Sequence, residues 1–213
     1  MRSAVAGVLL AAGQGSRFGR PKALVELDGL TLAERGVTML RAGGADPVLI
    51  VTGAAQVDLS PDHQARTVYN REWRTGMGSS LRAALRALTE LEPGPEAGPE
   101  IGAVVVALAD QPLVGAEAVG RLIAAYQAGA DVAVAAYGGK PRNPVLLARE
   151  HWPEVIATAT GDQGARTFLR TRPDLVTLVE CGDTGRPDDI DTPADLDRIA
   201  GRDVRKPGSP RSE

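Results

Sequence analysis

Hydrophobic residues along this chain fall into short unbroken blocks, separated by stretches where they recur every three or four positions. "AVAGVLLA", residues 4–11, is such a block. It shows no alternation, which predicts a strand buried on both faces. "ADPVLIVTG" (45–53), "IGAVVVALAD" (101–110), "DVAVAAY" (131–137), "PVLLA" (144–148) and "LVTLVECG" (175–182) predict further strands, and "ARTVYN" (65–70) a shorter one. Between them lie helical patterns. "TLAERGVTMLRAGG" opens with Thr31 and Glu34 at capping-box spacing and ends in glycines. "SSLRAALRALTELE" puts Leu81, Ala84, Leu85, Leu88 and Leu91 on one face, with Arg82 and Arg86 off it. "AEAVGRLIAAYQAGA" and "ARTFLRTR" read as helices, as does "TPADLDRIAG", where Pro193 suits a first turn.

Strands alternating with helices predict right-handed βαβ units. The expected fold is α/β, a three-layer arrangement with a mainly parallel twisted sheet and helices on both faces. "PGPEAGPE", residues 93–100, reads as a surface loop inside one domain spanning residues 1–200. The polar, proline-bearing end, residues 201–213, reads as a disordered tail.

Composition narrows the function. The 213 residues suffice for one sizeable core. Aromatic residues are only 3% of the chain, which argues against nucleic-acid binding through stacked bases. A net charge of -3 makes a poor binder of DNA or membrane surfaces. No stretch approaches the ~20 apolar residues of a membrane span. "MRSAVAGVLLAA" has the ingredients of a signal peptide, but its apolar run is better explained as a buried first strand. One cysteine and two histidines exclude an internal disulfide and a Cys/His zinc site. A metal would then be held by carboxylates, which points to magnesium, and the expected compartment is the cytoplasm.

Four clusters carry chemistry. In "LLAAGQGSRFGRPKAL", Gly13, Gly15 and Gly19 allow main-chain N–H groups to approach an anion, while Arg17 and Lys22 add positive charge. A phosphate cradle and a plain connecting loop both fit the spacing. No Gly-Lys-Ser/Thr follows, so this is not a Walker loop. Asp110 ends a buried strand, where it either meets a metal ion or caps the next helix. Asp188, Asp189 and Asp191 crowd three carboxylates together, favouring a cation partner or forming an exposed turn before Thr192. Asn143 reads as a turn residue before Pro144, and Asp162 as a cap for the helix holding Arg166. Arg142 and Arg166 could instead grip a phosphorylated acceptor.

Together with "NREWRTGMGSSL", "ALADQPLV", "RNPVLL", "GDQGAR" and "DIDTPADL", the glycine loop closely resembles the nucleotidyltransferases that release pyrophosphate from an NTP. The six motifs, from about Val8 to Leu196, resemble the MobA-like group, and within it the molybdenum cofactor cytidylyltransferase branch. The resemblance implies a Rossmann-like nucleotidyltransferase fold. It implies that Leu10, Ala11, Ala12 and Gly13 line the base and ribose side of the pocket. Gly15, Ser16 and Arg17 would wrap the triphosphate, Lys22 would hold its oxygens, and Ser79 and Ser80 would contact base or ribose. Asp110 would bind the catalytic magnesium with Asp191 as its second ligand. Asn143, Asp162 and Arg166 would face the acceptor.

The implied reaction moves CMP from CTP onto a phosphorylated small molecule such as molybdopterin. A molybdoenzyme or its chaperone is the implied protein partner, and the chain would act as a monomer or homodimer. The group's guanylyltransferases tend to carry a second glycine where this chain has Ala12, hence the expectation of CTP. Rival readings are guanylyl transfer to a phospholactate-type acceptor, cytidylyl transfer to a sugar-like alcohol phosphate, a non-catalytic chaperone for a cofactor precursor, and an NAD(P)H-dependent oxidoreductase of a pyridine pigment. Against the last, no acidic residue closes a second strand about 20 residues beyond the glycines, where a ribose partner is expected.

Overall fold

In the computed structural model, which describes residues 3–91 and 100–201, the unbroken apolar blocks become strands of one sheet. In chain order the elements are β1 (Ala4–Leu10), a small hairpin of β2 (Glu26–Leu27) and β3 (Leu30–Thr31), α1 (Leu32–Ala42), β4 (Val48–Thr52) and β5 (Ala65–Tyr69). Then come α2 (Met77–Glu90), β6 (Ile101–Leu108), α3 (Ala116–Gln127), β7 (Val132–Tyr137) and β8 (Lys140–Ala148). The remainder is α4 (Trp152–Thr158), α5 (Arg166–Thr171), β9 (Val176–Glu180) and α6 (Pro193–Ile199).

The main sheet runs β5-β4-β1-β6-β8-β7-β9. Only β8 is antiparallel to its neighbours; every other pair is parallel. Successive side chains of the central strands point to opposite faces, and both faces are covered. Leu9, Ile50 and Val105 pack with Val37, Leu40 and Leu122 of α1 and α3. Val8, Val51 and Val104 pack with Leu81, Leu85, Trp152 and Phe168 of α2, α4 and α5. This is the predicted three-layer α/β arrangement.

Register decides where the site lies. Leu10 at the end of β1 stands opposite both Val51 of β4 and Leu108 of β6. The three strands therefore finish level, and the segments that follow them emerge side by side. The Ala109 N–H donates to Leu10 O (3.1 Å) and the Ala11 N–H to Val51 O (2.9 Å), which prolongs this alignment past the strands.

A third, smaller core lies beside the sheet. Val25, Leu27, Leu32 and Ile190 are buried together, with Phe18, Leu196 and Ile199 packed against them. It joins the end of the glycine loop to the segment before α6, two regions far apart in sequence.

Several expectations need correction. Asn143 is not in a turn; it lies within β8, which begins at Lys140 and pairs with β7 through Tyr137↔Lys140 and Ala136↔Pro141. The polar "KPRN" looks like loop because this half of the strand is largely exposed. The tight turn is instead Gly138-Gly139, both at positive φ. The helix α4 has only seven residues, too few to show a period, yet it buries Trp152 and Val155. The region read as a loop at 93–100 lies, except for Glu100, outside the described residues, as does the tail beyond 201. Among the described residues no helix is long and apolar enough to cross a membrane.

Candidate active site

The glycine loop leaves β1 and folds back on itself. The Gly15 carbonyl accepts from the N–H groups of Phe18 (2.9 Å) and Gly19 (2.8 Å). Gly15 has φ +65, and a Cβ there would stand 2.0 Å from Arg20 O, so no other residue fits this turn. The N–H groups of Gly13 through Arg17 donate to no other protein group among the described residues. A run of uncommitted main-chain donors beside two cations is what an anion requires. No α-helix opens at Gly19. Pro21 leads into a short 3-10 turn, Lys22–Leu24, and α1 starts only at Leu32.

That 3-10 turn buries Ala23 and sends the Lys22 side chain back under the loop. Its Nζ donates to Asp110 Oδ2 (3.0 Å) and Asp191 Oδ1 (2.6 Å). Arg17 donates to Asp191 Oδ1 (3.1 Å) while its side chain stays 73% exposed. Asp110 therefore faces a cation and does not cap the next helix, whose N-cap is Gly115 with no side-chain bond. Burial alone would lower the Lys22 pKa, but the charges and hydrogen bonds of Asp110 and Asp191 outweigh it, so the net shift is upward. Lys22 is consequently an ammonium at neutral pH.

Asp191 reaches this point through tertiary structure. Ile190 is fully buried in the third core, and its N–H donates to Asp110 O (2.8 Å). Asp195, in the capping box of α6, accepts from the N–H groups of Asp191 (3.2 Å) and Thr192 (2.9 Å). The neighbouring Asp189 accepts from Gln111 Nε2 (2.9 Å). Burial pushes the Asp189 carboxyl up, and Asp110 and Asp191 add to the shift, against the lowering effects of Gln111 and Lys22. Asp188 turns to Arg186 and Arg198 instead. The three carboxylates thus do not act as one cluster. Asp110 Oδ2 and Asp191 Oδ1 converge on a single point, and an all-carboxylate pair suits a hard divalent cation.

The facing wall is the start of α2, which begins two residues earlier than its hydrophobic period suggests. Asn70 is buried and organises it. Its Nδ2 donates to Ser79 Oγ (2.8 Å) and Ser80 Oγ (3.0 Å), and its Oδ1 accepts from the Glu72 N–H (2.9 Å). Ser79 also donates to main-chain carbonyls of Glu72 and Gly76, so its hydroxyl holds this turn together. Asp162 does not cap the helix of Arg166. Its carboxylate accepts from the Met77 N–H (3.4 Å) at the start of α2, because Gly76 and Gly161 bring the two loops into contact.

Between these walls is a cleft of about 380 Å³. Leu10, Ala11, Ala12, Gly13, Gly15, Ser16, Arg17 and Lys22 line one side. Ser80, Asp110 and Asp162 line it as well, whereas Ser79 does not. Asn143 and Arg166 line an adjoining recess of about 50 Å³ that shares Leu10, Met77 and Leu108 with the main cleft. Trp73 and Met77 are lining residues that sequence reasoning passed over. Trp73 was legible as one of two tryptophans in an aromatic-poor chain, placed in a loop three residues before a glycine.

Comparison with known proteins fits this geometry. The family model described as "MobA-like NTP transferase domain" matches residues 7–176. The chain is 38% identical over 209 residues to a protein of Paenarthrobacter nicotinovorans named nicotine blue oxidoreductase, covering 92% of this chain and 96% of that one. A solved structure of a Mycobacterium tuberculosis rv0371c homologue from Mycobacterium sp. strain JC1 superposes with TM-score 0.76 at 30% identity, covering 94% of this chain and 97% of the other. Rv0371C of M. tuberculosis H37Rv, described as a complex with manganese, shares the fold at TM-score 0.67 and 24% identity, with 93% and 98% coverage. The resemblance to the group therefore holds at family level, while the Paenarthrobacter relative, matched over nearly its full length, carries a different name from the cytidylyltransferases expected.

Proposed function

Because the chain belongs to the MobA-like NTP transferase family, we propose that it is a metal-dependent nucleotidyltransferase, acting on an NTP and a phosphorylated small-molecule acceptor. The observation that carries this reading is Lys22, held between two strand-end and loop carboxylates beside an uncommitted run of main-chain donors. Such a loop suits a triphosphate. Lys22 and Arg17 would hold its charged oxygens, and Asp110 and Asp191 would hold magnesium or manganese. When bound, that cation neutralises charge on the polyphosphate. The chain's own residues do the rest by orientation and preorganised charge. Leu10, Ala12 and Trp73 enclose the base side of the cleft. Ser80, ordered by Asn70, is a fixed polar group for base or ribose. Asp162 on one edge, with Asn143 and Arg166 in the recess, would receive the acceptor.

No covalent enzyme intermediate is required. A phosphate oxygen of the acceptor attacks the α-phosphorus, the bond to the bridging oxygen breaks, and pyrophosphate leaves with both electrons of that bond. The donor we favour is CTP, and the acceptor molybdopterin, which would place the protein beside a molybdoenzyme or its chaperone.

A second reading is favoured by one specific observation, the 38% identity to a protein named nicotine blue oxidoreductase. On that reading the loop would carry the pyrophosphate of NADH or NADPH, and the cleft a pyridine pigment. The local geometry fits this less well. No helix opens at the third glycine, and β4 ends in Thr52-Gly53 without a carboxylate for a ribose. One experiment separates the two. Pyrophosphate release is measured with each of the four NTPs and Mg²⁺ or Mn²⁺, with and without molybdopterin, alongside NADH and NADPH oxidation with a coloured pyridine acceptor. Metal-dependent pyrophosphate release, lost in Asp110→Asn, is the expected result. Reduced-nicotinamide oxidation without pyrophosphate release would replace the first reading with the second.

A further inference from the structure

We propose that Lys22 occupies the metal position while the polyphosphate is absent, so that metal and nucleotide bind as a coupled pair and the bare cation is held off. The inference rests on the nucleotidyltransferase reading for its ligands, but its geometry belongs to the protein alone. Nζ of Lys22 lies 3.0 Å from Asp110 Oδ2 and 2.6 Å from Asp191 Oδ1. A magnesium ion bonds carboxylate oxygens at about 2.0–2.1 Å. Two oxygens that both reach one ammonium leave no separate place between them for such an ion. The cation and the ammonium compete for the same pair of carboxylates, and they repel each other if both try to stay.

Charge points the same way. Lys22 and Arg17 balance Asp110 and Asp191 in one hydrogen-bonded group. A lone divalent cation entering this group finds the two carboxylates that would bind it already matched by two cations, with Asp189, which accepts from Gln111, the nearby carboxylate left without an ion-pair partner among the described residues. A polyphosphate changes that. Its oxygens, carried on the Gly13–Arg17 donors, give Lys22 and Arg17 new partners. Lys22 is a point charge on a four-carbon stem, so it can turn without moving the 3-10 turn that anchors it. Arg17 is 73% exposed and equally free to swing. Their departure frees the two carboxylates. By linkage, whatever factor the nucleotide contributes to metal affinity the metal contributes to nucleotide affinity.

The test is Mn²⁺ binding to the full-length protein with no nucleotide present, followed by electron paramagnetic resonance of free Mn²⁺. Lys22→Met and Lys22→Gln keep the stem and remove the charge, and circular dichroism melting verifies that each is folded. Both should bind Mn²⁺ more tightly than the unmodified protein, by about 5- to 150-fold, the usual range of a coupling between two ligands. Adding Asp110→Asn to Lys22→Met should abolish the gain. Equal or weaker Mn²⁺ binding by both lysine variants overturns the proposal, as does a gain that survives Asp110→Asn. Pyrophosphate release fails or succeeds independently. Tighter Mn²⁺ binding by the lysine variants of a protein that releases no pyrophosphate would leave Lys22 in the metal position and remove the transferase reading together with the coupling to a nucleotide.

Discussion

Lys22 is the residue on which the carboxylates of the candidate site converge. It is one charge among 24 lysines and arginines, and only its contacts distinguish it. Lys22→Ala should lower turnover by about 100-fold or more, since a preorganised charge contact in a site is worth ~2.7–4 kcal/mol. Initial rates of pyrophosphate release check this, and a rate near that of the unmodified protein would remove Lys22 from the site. Ala12 acts through size. It is buried and lines the cleft, and on the proposed reading its methyl would narrow the space beside the base. We expect CTP to be preferred over GTP, and Ala12→Gly to shift kcat/KM toward GTP. One methylene-sized difference discriminates by only ~1–3 kcal/mol, or about 10- to 200-fold. If the ratio does not move in Ala12→Gly, base choice lies elsewhere, with Ser80 and main-chain groups the remaining candidates.

At the level of elements, the small helix α6 has an importance out of proportion to its seven residues. Its capping box is part of the site, because the Asp195 carboxylate accepts from the Asp191 N–H as well as from Thr192. The hydrogen bonds from Thr192, with help from Arg198, hold the Asp195 pKa at about 2, below its ordinary 3.8. A depressed carboxylate pKa contributes stability above the unfolded value, and this is lost as pH falls through the folded value. Asp195→Asn should therefore melt at a lower temperature than the unmodified protein at pH 7. The difference should shrink between pH 3.8 and about 2. The same variant should loosen Asp191 and weaken Mn²⁺ binding in the presence of nucleotide. A melting difference that stays constant across that acid range would separate Asp195 from the cap.

For the whole molecule, the site is a seam between three packed regions: the strand ends, the α2 entrance and the third core around Ile190. A ligand that bridges them ties the parts of the fold together and stabilises the protein by mass action. At 100 times its dissociation constant a ligand adds about 2.7 kcal/mol, which for a domain of this size is a rise in Tm of about 5–10 °C. We expect CTP with Mn²⁺ to produce such a rise and NADH to produce none. A shift with NADH alone, and none with any NTP, would favour the oxidoreductase reading at the level of the folded protein.

Much of the strand and helix pattern was determined locally. Continuous apolar blocks such as "IGAVVVALAD" can only be buried on both faces, and the Thr31–Glu34 and Thr192 caps mark their helices from side chains three residues apart. The glycine loop was legible for the same reason, since Gly15 needs a backbone conformation that a short-range clash forbids to other residues. The polar first half of β8, with the turn before it, and α4 escaped because their signals are not local: β8 begins in polar residues held by pairing to β7, and α4 is stabilised by burial of Trp152. The destinations of the polar side chains were likewise open. Nothing near Asp162 in sequence says that it faces the start of α2, and nothing near Ser79 says that its hydroxyl is committed to its own turn. Above all, the meeting of Lys22 with Asp110 and Asp191 spans 88 and 169 residues. Sequence supplied the charges, but strand register and the burial of Ile190 decided that they share one point, because only close packing can hold like-charged carboxylates together around a single cation.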